Sequence, residues 1–406
     1  MCVKESTENK KSICFCIPGH LASATGGAEL QTYLLAEEFV KDGWEVSFLN
    51  IKRPIKNKNY INKKIKYFTY QTFPRIRLLE AISIYLGLRK TKASFFYQRT
   101  NTILTGVVAL YCKLFSKTMI WSCAHDLDCY RNSERSAISK NRRRFQNSIL
   151  NKIAFWISYF NAYLVDRFAY FGKINAHIRI AQTKSQQQIL YNNFSITSKV
   201  MANFLVTKRN NDNMVKKQNL IIWVANIKPF KRPELFLNLV EHLDVSNWNF
   251  FMIAHCNDKN FLNKMLEFEQ QRRNFKLLLN LPVDETEKYF AKAKILVNTS
   301  DSEGFSNTFL QAWYYRACIF TLKVDPDNIL KKEKIGIVQG NDNIKELATK
   351  LKKFIANEKQ LQEISDRAYK YVVNEHNISS YFDELKNLLI SHTARDIISS
   401  QELYEN

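Results

Sequence analysis

Glycine and proline are scarce in this chain, 10 and 7 among 406 residues. That scarcity excludes collagen-like, linker-like and low-complexity architectures. No internal repeat of solenoid period is present. Eight cysteines stand at positions 2, 14, 16, 112, 123, 129, 256 and 318, with no Cys-x-x-Cys pair among them. Their spacing argues against a zinc site, and Cys14-Phe15-Cys16 in an apolar run reads as buried, reduced thiols. Long apolar runs are missing as well. The most aromatic stretch, residues 153–165, is 13 residues long, too short to span a bilayer. The run from Ser12 to Pro18 reads as a first strand rather than a signal peptide, so the expected location is the cytoplasm. What is present is a globular balance, 46% hydrophobic and 24% charged, in a chain long enough for two cores.

Acidic residues are in short supply on one side only. Residues 1–205 hold 31 Lys and Arg against 12 Asp and Glu, whereas residues 206–406 hold 29 against 26. The net charge of +22 therefore lies almost wholly in the first half, which points to a polyanionic partner, nucleic acid or anionic membrane. A Lys-rich coding bias would raise Lys in both halves and is an incomplete account. Arg131, Arg135, Lys140, Arg142, Arg143 and Arg144 precede the aromatic stretch 153–165. Basic residues beside an amphipathic aromatic segment suit a membrane interface. The alternative is a buried helix behind a solvated basic loop. The reading adopted is a buried helix whose basic loop reaches lipid headgroups.

Along the chain, strand and helix patterns alternate, the signature of βαβ units. A strand over 12–17 leads into a loop with Gly26-Gly27, a helix over 28–41, a stop at Gly43 and a strand over 45–49. The loop lacks the three glycines of a dinucleotide fingerprint, so NAD binding is not expected. A tight turn needing positive φ is the plain alternative for Gly26 and Gly27. A strand over 119–124 ends in His125-Asp126-Leu127-Asp128, and a His at such an end faces the ligand crevice of an open α/β sheet. Residues 200–206, with Asn203, close the first domain, and the Asn-rich segment 208–217 reads as a linker. The second domain begins with a strand over 220–225. The turn Asn226-Ile227-Lys228-Pro229-Phe230-Lys231-Arg232-Pro233 follows, then a helix from Glu234. Strands over 250–254, 276–279 and 318–322 are expected. So are a helix over 284–293 with capping-box spacing at Asp284 and Glu287, and polar helices near 343–357, 360–373 and 379–390.

The most informative block follows the apolar strand 295–298. It runs Asp301-Ser302-Glu303-Gly304-Phe305-Ser306-Asn307-Thr308 and opens a helical segment through Gln311 and Trp313. Such a junction offers free backbone N–H groups, a positive dipole end and a carboxylate at one point. It can hold an anion and accept hydrogen bonds from hydroxyls, as a sugar nucleotide requires. The block resembles the donor-site signature of family 4 glycosyltransferases, with Gln311 where the family has a second acid. The turn 226–233 resembles the region whose Arg and Lys grip the donor diphosphate. Lys231 matches the Lys, Asn226 replaces the Arg, and Lys228 or Arg232 can compensate. The resemblance covers most of residues 12–390 and is specific around 223–233 and 294–316.

What the resemblance implies is an α/β protein of GT-B fold, two Rossmann-like domains with parallel sheets facing across a cleft. The expected division is 1–207 for the acceptor side, 208–378 for the donor side, and a tail 379–406 packing back on the first domain. The implied activity is metal-independent, retaining transfer of a hexosyl unit from a UDP- or GDP-linked donor, with no cofactor. The acceptor would be a lipid-linked glycan of bacterial surface polysaccharide, such as lipopolysaccharide or capsule. Glu303, Lys231 and His125 are the implied catalytic residues, His125 resembling the family's cleft histidine. Donor contacts fall to Gly27, Asn226, Lys228, Arg232, Gly304, Phe305, Ser306, Asn307, Thr308 and Gln311, and acceptor-side contacts to Gly26 and Asp126. Asp126 and Asp128 could alternatively be a metal-binding pair of the GT-A kind. Partners expected are the nucleotide sugar, the glycan acceptor and the inner face of the cytoplasmic membrane through the basic first domain, with no nucleic acid. Alternatives are a GT-B-fold sugar-nucleotide epimerase, a basic nucleic-acid-binding protein, or a non-catalytic lectin-like relic.

Overall fold

A computed structural model describes residues 11–404 except 25, 75, 141, 143–147, 207–214, 244 and 257, with side chains to residue 392. Arg143, Arg144 and most of the expected linker thus lie outside the described residues. The chain divides into two units, one up to Met201 together with the segment from Ser379, the other Ala202–Ile378.

The first unit is built on β1 (Ser12–Cys16), β2 (Glu45–Ile51), β3 (Lys66–Tyr70), β4 (Phe95–Arg99), β5 (Thr118–Ser122), β6 (Ile178–Ala181) and β7 (Lys199–Val200). They form a parallel sheet in the order β3-β2-β1-β4-β5-β6-β7. Ile13, Cys14, Phe15 and Cys16 of β1 are all fully buried, as the central strand of a sheet covered on both faces must be. The long C-terminal helix Ile378–Tyr404 packs on this unit. Phe382 meets Phe39 edge-on with ring centroids 4.9 Å apart, and Lys386 pairs with Asp42 at 2.7 Å.

The second unit contains β8 (Gln218–Asn226), β9 (Asn249–His255), β10 (Phe275–Leu279), β11 (Ala293–Asn298), β12 (Cys318–Thr321) and β13 (Gly336–Val338). Its parallel sheet has the order β10-β9-β8-β11-β12-β13. Numbered within the unit, this is 3-2-1-4-5-6, the doubly wound order. Its ligand crevice lies beyond the C-terminal ends of the two strands where the winding reverses. Those strands are β8 and β11. The turn 226–233 leaves β8, and the block 301–308 follows β11, so topology alone brings together the two motifs of the sequence.

Four expectations change. Residues 200–206 do not close the first sheet, because β7 stops at Val200 and Ala202 onward belongs to the second unit. Phe204 is buried, and Asn203 hydrogen-bonds Phe305 and Asn307. The helix Val283–Lys292 has Pro282 at its N-cap and no side-chain cap, so Asp284 and Glu287 form no capping box. Lys217 is no linker residue: its ammonium donates to the carbonyls of Phe290, Ala293 and Tyr315 and anchors the start of β8. Finally, residues 153–165 sit in a helix of 27 residues, Ile149–Asn175, whose first half buries Phe155, Asn161 and Ala162 but turns its other apolar side chains outward. Ile149, Leu150, Ile153, Trp156, Ile157 and Phe160 are exposed, Leu150 by 77% and Trp156 by 62%.

The described cysteines are free thiols, six of them buried. Among the described residues no helix is long and apolar enough to cross a membrane.

Candidate functional site

Two loops meet at the switch point of the second sheet, and backbone hydrogen bonds fix them to each other. The N–H of Asp301 donates to the carbonyl of Phe230 at 2.8 Å. Thr299 Oγ1 donates to the carbonyl of Lys231 at 2.7 Å and accepts from the buried Trp223 indole at 2.9 Å. An indole from β8 thus sets the hydroxyl that sets the turn carrying Lys231. That turn is a short 3₁₀ segment, Pro229–Lys231, and ends in Arg232 at φ 48°.

Across this junction the Lys231 ammonium pairs with Glu303 Oε1, with side chains only 17% and 10% exposed. The same carboxylate oxygen accepts from Ser300 Oγ at 2.7 Å and Asn298 Nδ2 at 3.4 Å. Asn298 Oδ1 in turn accepts from the Ser300 amide at 3.0 Å. Glu303 is therefore held by three side-chain donors on one oxygen, a preorganised acceptor beside an ammonium.

The other cations of the turn part ways. Arg232 is committed to carboxylates, Glu234 at 2.7 Å and Asp301 at 3.1 Å, with Asp342 at 3.8 Å. Lys323 joins the same network through Asp342 at 2.7 Å and Asp301 at 3.2 Å. Arg232 is thus already paired with carboxylates. Lys228 is exposed, lies 5.8 Å from the Phe230 ring and makes no ion pair among the described residues.

The helix after the block runs Asn307–Tyr314 with Ser306 at its N-cap, and no side chain caps it. The Phe309 amide closes back on the Ser306 carbonyl at 3.1 Å, and the positive end of the helix dipole faces the loop 301–306. Ser306 Oγ and Thr308 Oγ1 lie 2.9 Å apart. Gly304, in the loop before this helix, is buried, and Gln311 on the helix is half-buried. Phe305 has its side chain in the core among Phe309 and Trp313, so only its backbone can reach a ligand. The side chain of Asn307 accepts from Asn203 Nδ2 at 2.9 Å, and the same Asn203 amide reaches the Phe305 carbonyl at 2.6 Å.

Asn203 and His376 are the site neighbours that sequence reasoning did not single out. The Asn203 carbonyl accepts from His376 Nδ1 at 2.7 Å. That imidazole lies 4.6 Å from the Phe305 ring, and its Nε2 has no hydrogen-bond partner among the described residues. Burial holds its pKa down at about 4, against the bond to the Asn203 carbonyl. No local pattern marks either residue, because the groups their side chains hydrogen-bond lie 102 to 173 positions away.

In the first unit, Gly26 is the N-cap of the helix Gly27–Lys41, with φ −175°. Neither Gly26 nor Gly27 has positive φ. The tight-turn alternative is therefore wrong. The atoms nearest a Cβ built at Gly26 belong to the Glu29 carboxylate, the movable end of a flexible side chain. His125 caps the 3₁₀ turn Asp126–Cys129, its Nδ1 accepting from the Leu127 amide at 3.1 Å. Asp126 accepts from Gln186 Nε2 at 2.9 Å. Asp128 accepts from the amides of Ala124 and His125 at 2.9 and 3.1 Å. Burial raises its pKa against those bonds. Asp126 and Asp128 are thus engaged in different hydrogen bonds and do not converge as a metal-binding pair.

Residues 207–371 match the family model described as glycosyl transferases group 1. Over 155 residues the chain is 23% identical to a Campylobacter jejuni protein, GalNAc-alpha-(1->4)-GalNAc-alpha-(1->3)-diNAcBac-PP-undecaprenol alpha-1,4-N-acetyl-D-galactosaminyltransferase. That match covers 38% of this chain and 43% of the relative. Over 225 residues it is 23% identical to the Staphylococcus aureus poly(ribitol-phosphate) alpha-N-acetylglucosaminyltransferase, covering 54% of this chain and 45% of that protein. The chain spans less than half the length of these relatives. Among solved structures it is similar to Anabaena HepE in complex with UDP-glucose, with a TM-score of 0.67 at 13% identity. That likeness covers 94% of this chain and 99% of HepE. It establishes the fold class as GT-B, an α/β protein of two Rossmann-like domains with parallel sheets.

Proposed function

We propose that this protein is a glycosyltransferase of the retaining, family 4 type, which moves a sugar from a nucleotide-sugar donor to a lipid-linked glycan in bacterial surface-polysaccharide synthesis. The observation that carries the reading is the pairing of Lys231 with Glu303 at the switch point, beside an uncapped helix N-terminus. Both curated relatives are named as sugar transferases, one of them acting on an undecaprenol-linked glycan. A UDP-linked donor is the first choice, since UDP-glucose occupies the structurally similar HepE.

In this reading the bond from the anomeric carbon to the diphosphate oxygen breaks, its electron pair leaving with the nucleoside diphosphate. The acceptor hydroxyl oxygen bonds to that carbon, and its proton passes to the departing phosphate oxygen. Negative charge grows on the diphosphate, where Lys231, Lys228 and the amides near Ser306, Asn307 and Thr308 stabilise it. Glu303 orients sugar hydroxyls, and Gln311, one turn along from Asn307, reaches the ribose. In the first unit His125, with Gly26 and Asp126, is assigned to the acceptor side.

The membrane part of the reading rests on the helix Ile149–Asn175. Its exposed residues 149, 150, 153, 156, 157 and 160 fall on one stripe, apolar and aromatic, in a half-chain with 31 basic and 12 acidic residues. Such a face suits anionic headgroups above and acyl chains below.

The test is incubation with a panel of UDP- and GDP-sugars, with and without an undecaprenyl-diphosphate-linked glycan. Acceptor-dependent release of nucleoside diphosphate supports the reading. Stoichiometric epimerisation of the donor without acceptor would replace it with the epimerase, and absence of any turnover with the lectin-like alternative.

A further inference from the structure

Beside the exposed stripe, the first unit contains a cavity of about 380 Å³ to which no role has been given. Arg131, Arg135, Arg167 and Lys173 all line it, and Asp166 is the one carboxylate that does. Asp166 is already engaged. It accepts from the amides of Glu134 and Arg135 and from the Arg135 guanidinium at 3.0 Å. Among the described residues Arg131 and Arg167 make no ion pair; Arg131 Nε donates to the carbonyl of Asn193, a neutral acceptor that leaves its charge in place. Lys173 is only 1% exposed and donates to the carbonyl of Asp128 at 2.8 Å.

Aromatic faces hold these cations in place. Arg131 lies 5.5 Å from the rings of both Tyr170 and Phe194, Arg167 lies 5.9 Å from Tyr170, and Arg135 lies 5.0 Å from Tyr163. Lys173 sits 4.1 Å above Phe194. Cation–π contacts fix position without neutralising charge. Arg131 and Arg167 are exposed and Lys173 is buried, and like charges gathered around one cavity repel, a cost that a multiply charged anion removes. Guanidinium is also the group best matched to phosphate oxygens.

The cavity is continuous with the apolar stripe. Tyr163 lines it and stacks on Phe160 at 6.5 Å, and both are exposed members of the face that starts at Ile149. A ligand with a phosphoryl head and a long apolar tail would meet both surfaces at once.

We infer that this cavity is a diphosphate-binding site for the lipid-linked acceptor, Arg131, Arg167 and Lys173 holding the diphosphate while the stripe Ile149–Phe160 takes the chain. The inference rests on the lipid-acceptor reading above and names a part of the molecule, outside the Lys231–Glu303 site, that recognises the lipid carrier.

Its test needs neither a donor nor turnover, so its failure is distinct from failure of the transferase reading. Binding of the full chain is compared on phosphatidylcholine vesicles doped with a long-chain prenyl diphosphate, on phosphatidylcholine–phosphatidylglycerol vesicles of equal surface charge, and with inorganic pyrophosphate in solution. The prenyl diphosphate vesicles should bind about tenfold more tightly than the charge-matched ones. R131Q and R167Q should each remove most of that preference, and R167K should restore it in part. Each variant should weaken binding to the phosphatidylglycerol vesicles by no more than about fivefold, the scale of one basic residue near an anionic surface, and reading the preference as a ratio separates the site from general charge and from misfolding. K231A should leave the preference intact. Equal binding to the two vesicle types overturns the inference, as does a preference that survives both arginine variants. Pyrophosphate bound as tightly as the lipid diphosphate overturns it too, by assigning the cavity to a soluble anion.

Discussion

The Lys231 ammonium and the Glu303 carboxylate, 72 positions apart in the chain, form an ion pair across the two loops that leave β8 and β11. Each holds the other's charge in a place where neither is fully solvated. A donor that brings a diphosphate to Lys231 and hydroxyls to Glu303 enters a pair that is already oriented, which is what preorganised transition-state stabilisation requires. Removing Lys231 takes away a cation and also leaves a half-desolvated carboxylate without its partner. We expect Lys231→Ala to lower kcat at least about tenfold, ~1.4 kcal/mol of transition-state stabilisation. Unchanged kinetics in the nucleotide-sugar assay would remove Lys231 from the site.

Pairing also predicts non-additivity. Glu303→Gln keeps hydrogen-bonding capacity but loses charge, so it should impair discrimination among donor sugars more than nucleotide affinity. The double variant Lys231→Ala/Glu303→Gln should be less damaged than the product of the two single losses, because residues in contact couple. A double-mutant cycle with strictly multiplicative effects would show that the two act independently.

Asn203 is predicted to matter for stability. Its amide bonds the carbonyl of Phe305 and the side chain of Asn307, and its carbonyl receives the His376 ring. Asn203→Ala leaves a buried acceptor unsatisfied and should cost about 1–3 kcal/mol. Thermal unfolding should show this as a fall in midpoint, whereas Asn192→Ala, in an exposed helical pair, should leave the midpoint unchanged.

His376 gives a pH dependence with a definite sign. Its folded pKa is held down at about 4, below the ordinary histidine value of 6.5. The unfolded chain therefore binds more protons than the folded one between those values, and stability falls as pH falls through that window. The full stabilisation is present above pH ~6.5, and up to about 3 kcal/mol is lost by pH ~4. His20, also depressed to about 4 by burial, acts in the same direction in the first unit. His376→Asn should flatten the pH slope of unfolding free energy without abolishing it. An unaltered slope would show that this ring does not titrate as described.

How much of this was legible in the sequence depended on where the signal lay. Lys231 and Glu303 were readable because each follows a continuous apolar strand, and the doubly wound order places such strand ends side by side. Asn203 and His376 were not, since a buried polar contact between distant segments leaves no periodic trace. The helices Arg77–Thr91 and Ile103–Leu114 were left unassigned for opposite reasons. The first exposes Leu78, Leu79, Ile82 and Leu86 as well as burying Ile84 and Leu88, so apolar residues surround it. The second is buried on nearly every side. Neither shows the one-sided stripe from which a helix is read. The same blurring made residues 153–165 look like core, when the run Ile149–Phe160 faces outward.

That outward face is itself testable. Trp156→Ser and Phe160→Ser should each weaken binding to anionic vesicles about tenfold, the scale of a large apolar side chain removed from a lipid interface. Sedimentation with phosphatidylglycerol vesicles measures this directly, and variants that bind as well as the parent protein would locate membrane contact elsewhere.

The most direct test is a crystal structure with a nucleoside diphosphate bound. The prediction is diphosphate oxygens within hydrogen-bonding reach of Lys231 Nζ and of the main-chain amides at the start of the helix Asn307–Tyr314. A diphosphate held away from that junction, with the Lys231–Glu303 pair untouched, would contradict the account.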